Sequence, residues 1–266
     1  MAASGFLQRY LAAVQMHTRV PINGAWALPA GQPLPNFGTT AAHFPGVGWI
    51  TGIVACAVFA GLSLLLPNTG FSALAAAVGC IVATVLLTGG AHESALAELA
   101  DLGEEMGARL DPGHIPPIVR HKPIGAAGVI AIVLAVALKL ALLAVLASHS
   151  PGAVLTAVVV AQVVSRGWPV LLLGGLVTEG RDRRLDRWSL AVAFGWCVPP
   201  VAAAVLAQGA NFTLAAVLLS GMPLLGLRWV MARRLRGFAI DRLGAAQQLC
   251  ELGFYLGAAI ALGLRL

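Results

Sequence analysis

The chain has 266 residues, of which 59% are hydrophobic and only 11% are charged, and its formal net charge is +6. Soluble domains carry about 25% charged residues, so this composition excludes a water-soluble globule, a disordered chain and a coiled coil. A polytopic membrane protein remains, because apolar helices flanked by cationic loops explain both the composition and the charge, and we expect no nucleic-acid partner.

The first predicted element is an amphipathic N-terminal helix. Its apolar residues recur at helical spacing: Phe6, Leu7, Tyr10, Leu11 and Val14. This pattern is typical of a helix that lies at a membrane surface. A proline-rich stretch from Pro21 to Pro45 follows and predicts an extended loop. Residues 1–45 would then form a cytoplasmic segment before the first membrane span.

Seven apolar segments follow, each near the length of about 20 residues that a bilayer requires. They cover roughly 46–66, 71–90, 124–147, 153–177, 188–207, 211–230 and 243–263. The sequence therefore predicts an all-α, polytopic membrane bundle with about seven transmembrane helices and an amphipathic N-terminal helix. We expect residues 1–266 to form a single integral membrane domain in contact with the lipid bilayer.

The charged residues are sorted to one side of these spans. Fourteen of the 17 Lys and Arg residues lie before the first span, after the second and fourth spans or around the end of the sixth, and ten of the 11 acids lie on the same side. Cationic loops stay in the cytoplasm, so this side is predicted to be cytoplasmic, with the N-terminus inside. The short connections on the other side carry no charge, which favours chemistry at the inner face.

Three ionisable residues fall well inside the predicted spans, away from their ends: Lys139, Arg166 and Glu251. Buried charge is costly, so we expect these side chains to face the bundle interior and to pair. Two interpretations remain open. These three side chains can bind an anionic substrate at the cytoplasmic end of the bundle, or they can fix the packing of the helices. Gly253 and Gly257 form a small-xxx-small pattern that is typical of close helix contacts.

The longest polar segment, residues 91–123, is predicted to be a cytoplasmic acidic loop. Glu98, Asp101 and Glu105 within it share one face of a helix. Carboxylates gathered beside a membrane are what Mg²⁺ and a phosphate-bearing substrate require, and Arg120 and Lys122 can hold phosphate charge. A solvated acidic helix without a bound ligand is the alternative interpretation.

Short motifs along nearly the whole chain resemble, in order, those of one family. They are His17 to Pro21, His43 to Gly48, Thr88 to Glu93, Ile124 to Gly128, and Asp241 to Ala245 with Glu251 further on. The sequence is similar to the cobalamin synthase family, the adenosylcobinamide-GDP ribazoletransferases of bacterial inner membranes. No single motif is specific, but their order and number are.

The resemblance implies a transferase that completes the nucleotide loop of cobalamin. Adenosylcobinamide-GDP and α-ribazole, or its 5′-phosphate, would be joined and GMP released, with Mg²⁺ as cofactor.

By this resemblance the metal ligands are Glu93, Glu98 and Asp101, and the catalytic residues are His92 and Asp241. The substrate-binding residues would be Arg120, Lys122, Lys139, Arg166 and Glu251. Other cobalamin-assembly enzymes and a second copy of the chain are further candidate partners.

The departures from the family pattern lie in the acidic motif and in the motifs that follow it. Ser94 and Ala95 replace its first Asp and Gly, Glu98 replaces its second Asp, and Pro123 stands where an Arg is expected. A second hypothesis is therefore a catalytically impaired relative that binds a corrinoid precursor or scaffolds the pathway. A small-molecule transporter is a third hypothesis and ranks last, because the sequence contains no inverted repeat and no central polar pathway.

Overall fold

The computed structural model describes residues 2–24, 37–108, 123–175, 185–234 and 243–264. Within these ranges the chain is helical, without β-strands. The helices are α1 (Ala2–His17), α2 (Phe37–Ala41), α3 (Phe44–Leu65), α4 (Ser72–Thr88), α5 (Ala91–Ala108), α6 (Ala126–His149), α7 (Pro151–Gly175), α8 (Arg187–Gln208), α9 (Ala210–Arg234) and α10 (Leu243–Gly263). The predicted sites at Arg120, Lys122 and Asp241 lie outside the described residues.

A helix occupies each of the seven predicted spans, and a polytopic helical membrane protein is confirmed. In the described part of the chain, five helices are individually long and apolar enough to cross a bilayer: α3 extended by α2, α6, α7, α8 and α9. A sixth span results if α4 is combined with the first part of α5. The expected seventh span, α10, does not meet this criterion. Its polar residues Gln247, Gln248 and Glu251 are buried among the other helices instead of facing lipid.

Helices α7 and α10 form the centre of the bundle. Helix α10 packs against α5, α6, α7 and α9, and α7 also contacts α3, α8 and α9. Helix α6 presents exposed apolar side chains on its outer face, including Val129, Ile130, Val133 and Leu134. An apolar surface of this kind fits contact with lipid, since a soluble protein rarely exposes one.

The N-terminal part of the chain corrects one expectation. The predicted helix is present as α1, and it packs against α2 and α3 with Ala13 and Val14 fully enclosed. The stretch up to Pro45 was expected to be extended throughout, but Phe37–Ala41 forms the short helix α2. Phe37 and Ala41 are buried in the same apolar cluster as α1, which explains why this piece folds as a helix.

A sharp bend between α4 and α5 positions the candidate site. Gly89 and Gly90 both adopt φ of +72°, a conformation that glycine tolerates better than other residues, and the two helix axes differ by 88°. The segment after α1 crosses this bend, where the Arg19 backbone N–H donates to the Leu87 carbonyl at 2.7 Å. The end of α1 is thereby held beside the start of α5.

Candidate functional site

A cavity of about 300 Å³ lies where the end of α1 and the starts of α3, α5 and α10 meet. Its lining residues are Met16, His17, Phe44, Ala91, His92, Ser94, Ala95, Glu98, Leu243 and Gly244. The acidic segment begins at this end of the bundle, and residues 235–242 lead directly into α10. The cavity therefore lies at the end of the bundle that carries the charged connections.

Two of the residues predicted from the sequence line this cavity. His92 is 3% exposed, whereas Glu98 is exposed to solvent. The neighbouring Glu93 turns toward α10, where its Oε1 accepts a hydrogen bond from Gln248. The structure thus brings His92 and Glu98 to one site and places Glu93 at the α5–α10 contact.

Several polar atoms of the helices that line this cavity, and of the adjoining helix α7, are buried without a hydrogen-bond partner among the described residues. They are His17 Nε2, His92 Nδ1, Glu93 Oε2, Arg166 Nε and Gln247 Oε1. A buried polar group without a partner costs about 1–3 kcal/mol, so native proteins rarely retain several together without a reason. Such a set is typical of a site that a polar ligand completes.

The imidazole rings of His17 and His92 lie side by side, with 5.6 Å between their centroids. Burial, and after it the nearby Arg166 guanidinium, lowers the pKa of His17 from 6.5 to about 3. His17 is therefore neutral at physiological pH, and one nitrogen of its ring donates a hydrogen bond while the other accepts.

The three ionisable residues predicted within the spans belong to one buried network. Lys139 Nζ and Glu251 Oε1 form an ion pair at 2.6 Å, with side-chain exposures of 7% and 1%. Gln162 links this pair to Arg166, because Gln162 Nε2 donates to Glu251 Oε1 at 2.6 Å while Arg166 Nη1 donates to Gln162 Oε1 at 2.7 Å. The expectation that these charges face the bundle interior and pair holds for Lys139 and Glu251.

Glu251 is the centre of this network. Besides Lys139 and Gln162, Tyr255 donates to its Oε1 at 2.9 Å and Gln247 donates to its Oε2 at 3.1 Å. Four donors therefore satisfy one buried carboxylate. This supports the interpretation that Glu251 and Lys139 fix helix packing. For Arg166 the substrate-binding interpretation stays open, because its Nε has no hydrogen-bond partner.

Asp101, a predicted metal ligand, binds the start of α6. Its Oδ2 accepts the Gly125 N–H and its Oδ1 accepts the Gly128 N–H, both at 2.7 Å. The first N–H groups of a helix have no intrahelical partner, and their positive end favours a carboxylate. Asp101 thus fastens α5 to α6 in this structure.

The donor set fits Mg²⁺ only in part. Among the described residues, no three His, Cys, Asp or Glu side chains are close enough together to hold a metal ion. Mg²⁺ is, however, usually held by one or two carboxylates together with substrate phosphates. Glu98 at the cavity and the unpartnered Glu93 Oε2 are suitable oxygen donors. The metal prediction for Glu93, Glu98 and Asp101 therefore stays a prediction.

Sequence reasoning missed His17, Gln162, Gln247 and Gln248. The glutamines carried a usable signal, since polar side chains within an apolar span seldom face lipid. His17 stood in a motif that was noted for its sequence alone. Its approach to His92 depends on the bend at Gly89 and Gly90, which brings together residues 75 positions apart.

The fold defines the class of this protein, which is a polytopic helical membrane protein with a cavity lined by His17, His92 and Glu98 at one end of its bundle. Comparison with known proteins gives the particular family. The family model described as cobalamin-5-phosphate synthase matches residues 9–259, and the chain belongs to that family.

Relatives match along nearly their full length. The adenosylcobinamide-GDP ribazoletransferase of Polaromonas naphthalenivorans is 40% identical, with 97% of this chain and 99% of the relative aligned. Those of a Polaromonas species and of Albidiferax ferrireducens are 39% and 36% identical, each over 97% of this chain. No solved structure matches the chain.

Proposed function

We propose that this protein is an adenosylcobinamide-GDP ribazoletransferase, which joins adenosylcobinamide-GDP to α-ribazole or its 5′-phosphate and releases GMP. The observation that carries the proposal is that transferases of this name match the chain almost end to end. The cavity at the charged end of the bundle supports it, because His92 and Glu98 meet there.

In the proposed reaction a hydroxyl oxygen of α-ribazole attacks the phosphorus that carries the cobinamide. The bond from this phosphorus to the bridging oxygen breaks, GMP leaves with that oxygen, and the hydroxyl proton is released. Negative charge gathers on the diphosphate during this step, and fixed donors aimed at such charge lower the barrier. We assign this role to Arg166 and His92, with Arg120 and Lys122 as further cations.

Mg²⁺ is part of the proposal, with Glu98 and Glu93 as its protein ligands and Asp241 as a further candidate. Bound there, the metal would offset charge on the diphosphate oxygens and on the departing GMP. Asp101 would support the site by holding α5 against α6. We expect product formation to stop when EDTA removes divalent ions and to return when excess Mg²⁺ is added.

The proposed location is the bacterial inner membrane, with the charged connections in the cytoplasm. The sorting of Lys and Arg to one side of the spans supports this orientation. Adenosylcobinamide-GDP carries a charged diphosphate, and a site at this end of the bundle would bind it without drawing that charge into the bilayer.

The test is to incubate the purified protein in detergent with adenosylcobinamide-GDP, α-ribazole and Mg²⁺, and to measure cobalamin and GMP. We expect product from the native chain and at least about a hundredfold less from Glu98→Ala, since removing one aligned group commonly costs this much. Glu104→Ala on the same helix is the matched control and should stay within about twofold. Corrinoid binding without any product would instead favour the catalytically impaired relative.

A further inference from the structure

Three buried nitrogen atoms share one chemical property: two belong to His17 and His92, which line the cavity, and one belongs to Arg166 on α7, which acts electrostatically on both histidines. Arg166 Nε always carries a hydrogen, and neutral imidazole can place its hydrogen on His17 Nε2 or His92 Nδ1. All three atoms are buried and have no partner among the described residues. Three nitrogen atoms from three different helices can therefore donate to a ligand oxygen, since the unpartnered Glu93 Oε2 and Gln247 Oε1 form no hydrogen bond with them.

The charge balance points to an anionic acceptor. The Glu251 and Glu93 carboxylates both interact electrostatically with Arg166. The Glu251 oxygens already accept from Lys139, Gln162, Gln247 and Tyr255, and Glu93 Oε2 forms no hydrogen bond with Arg166. Arg166 itself donates through Nη1 to the backbone oxygen and the Oε1 of Gln162, which are uncharged acceptors. The buried guanidinium thus has no carboxylate bonded to it within the described residues, and an anion beside its Nε would compensate it.

His17 is held in place before any ligand binds. Its ring packs edge-on against Phe44 with 4.2 Å between centroids, and His92 lies on another side. The next residue, Thr18, is 8% exposed and donates through Oγ1 to the Val14 carbonyl at 2.8 Å, which closes the last turn of α1. A donor fixed in this way loses little conformational freedom on binding, so its hydrogen bond to a ligand has a small entropic cost.

We propose that His17, His92 and Arg166 form a subsite that binds a phosphoryl group. The ligand class is a phosphate or diphosphate oxygen, and His17 is the new substrate-binding residue. This inference rests on the proposed function for the identity of the natural ligand, which would present its diphosphate here. Glu98, which lines the same cavity, is available to a metal ion on the same group.

The direct test is the affinity of the full-length protein in detergent for inorganic pyrophosphate, measured by calorimetry with and without Mg²⁺. His17→Phe keeps a ring against Phe44 and removes the donor, and His17→Gln restores an N–H. We expect His17→Phe to weaken binding about tenfold and His17→Gln to recover part of the loss. His149→Phe, at the exposed far end of α6, should bind as the native protein does.

Arg166→Gln provides a second measurement if His17→Phe fails to fold, and it should weaken pyrophosphate binding more than either His17 variant. Unchanged affinity in folded His17→Phe would overturn the assignment, as would a native protein that does not bind pyrophosphate. Tight binding of Zn²⁺ without phosphate, lost in His17→Phe, would replace the subsite with a metal site.

Measuring both pyrophosphate binding and cobalamin formation distinguishes failure of the subsite from failure of the proposed function. If His17-dependent pyrophosphate binding is found but no cobalamin forms, the subsite stands and the transferase proposal fails. If cobalamin forms and His17→Phe leaves the KM for adenosylcobinamide-GDP unchanged, the transferase proposal stands and the subsite fails.

Discussion

At the scale of single residues, Asp101 shows how one carboxylate can serve the site indirectly. Its two oxygens bind the backbone N–H groups of Gly125 and Gly128, each at 2.7 Å. Hydrogen bonds to a charged group contribute about 1.5–3 kcal/mol each, so this contact is strong enough to fix α5 on α6. The cavity beside α5 therefore depends on Asp101 even if no metal touches it.

The tight fit around Asp101 gives the first prediction. A methyl group at Gly128 would lie 2.7 Å from Asp101 Oδ2 and 3.0 Å from the Ala97 carbonyl. We expect Gly128→Ala to lower the free energy of unfolding by about 1–3 kcal/mol through overpacking. Thermal unfolding in detergent measures this change. Gly61→Ala has open space around it and should be neutral or stabilising, and equal behaviour of the two variants would contradict the close contact.

The ion pair between Lys139 and Glu251 gives the second prediction. Glu251→Gln would leave the buried Lys139 ammonium without its counter-charge, which costs about 3–5 kcal/mol in comparable buried pairs. Adding Lys139→Met should recover a large part of this loss, because no isolated charge then remains buried. A double-mutant cycle on unfolding free energies provides the measurement. Additive effects of the two changes would show that the pair is not coupled.

At the scale of helices, α10 packs closely because it carries glycine where α9 crosses it. A Cβ at Gly253 would meet the Leu219 carbonyl at 2.5 Å, and one at Gly257 would meet the Ala215 carbonyl at 2.4 Å. The small-xxx-small pattern noted in the sequence is thus confirmed as a helix contact. Small residues are favoured at such contacts because they let two helix backbones approach.

The third prediction follows from this contact. Gly257→Ala should push α9 away from α10 and lower the unfolding temperature, since the obstructing atoms belong to the backbone and cannot rotate aside. Gly263→Ala on the same helix is the matched control, because nothing lies within 4 Å of its Cβ position. A Gly257→Ala protein as stable as the Gly263→Ala protein would be inconsistent with this packing.

The sequence predicted where the apolar helices lie, but not which of them face lipid. Hydrophobic runs located α3, α4 and α6 to α10, because a bilayer selects apolar segments of defined length. Hydropathy also predicted α10 to be an ordinary span, although its polar face is buried against other helices. That difference arises from tertiary packing, which a single segment does not encode.

At the scale of the whole molecule, the sequence indicated which end of the bundle carries the candidate site, but not which side chains meet there. Sorting of charge indicated one end of the bundle, and the cavity with His92 and Glu98 lies there. The contact of His17 with His92 and the hydrogen bond of Gln162 to Glu251 join residues far apart in the chain. His17 and His92 meet beside the bend at Gly89 and Gly90, whereas Gln162 and Glu251 meet where α7 packs against α10.

Orientation of the whole molecule is the fourth prediction and the central claim, because the proposed chemistry requires the cavity to face the cytoplasm. The measurement is cobalamin formation by sealed membrane vesicles that contain the protein, with adenosylcobinamide-GDP, α-ribazole and Mg²⁺ added outside. Inverted vesicles should form product, and right-side-out vesicles should form it only after detergent opens them. Equal rates from both kinds of sealed vesicle, or product from right-side-out vesicles alone, would contradict the account.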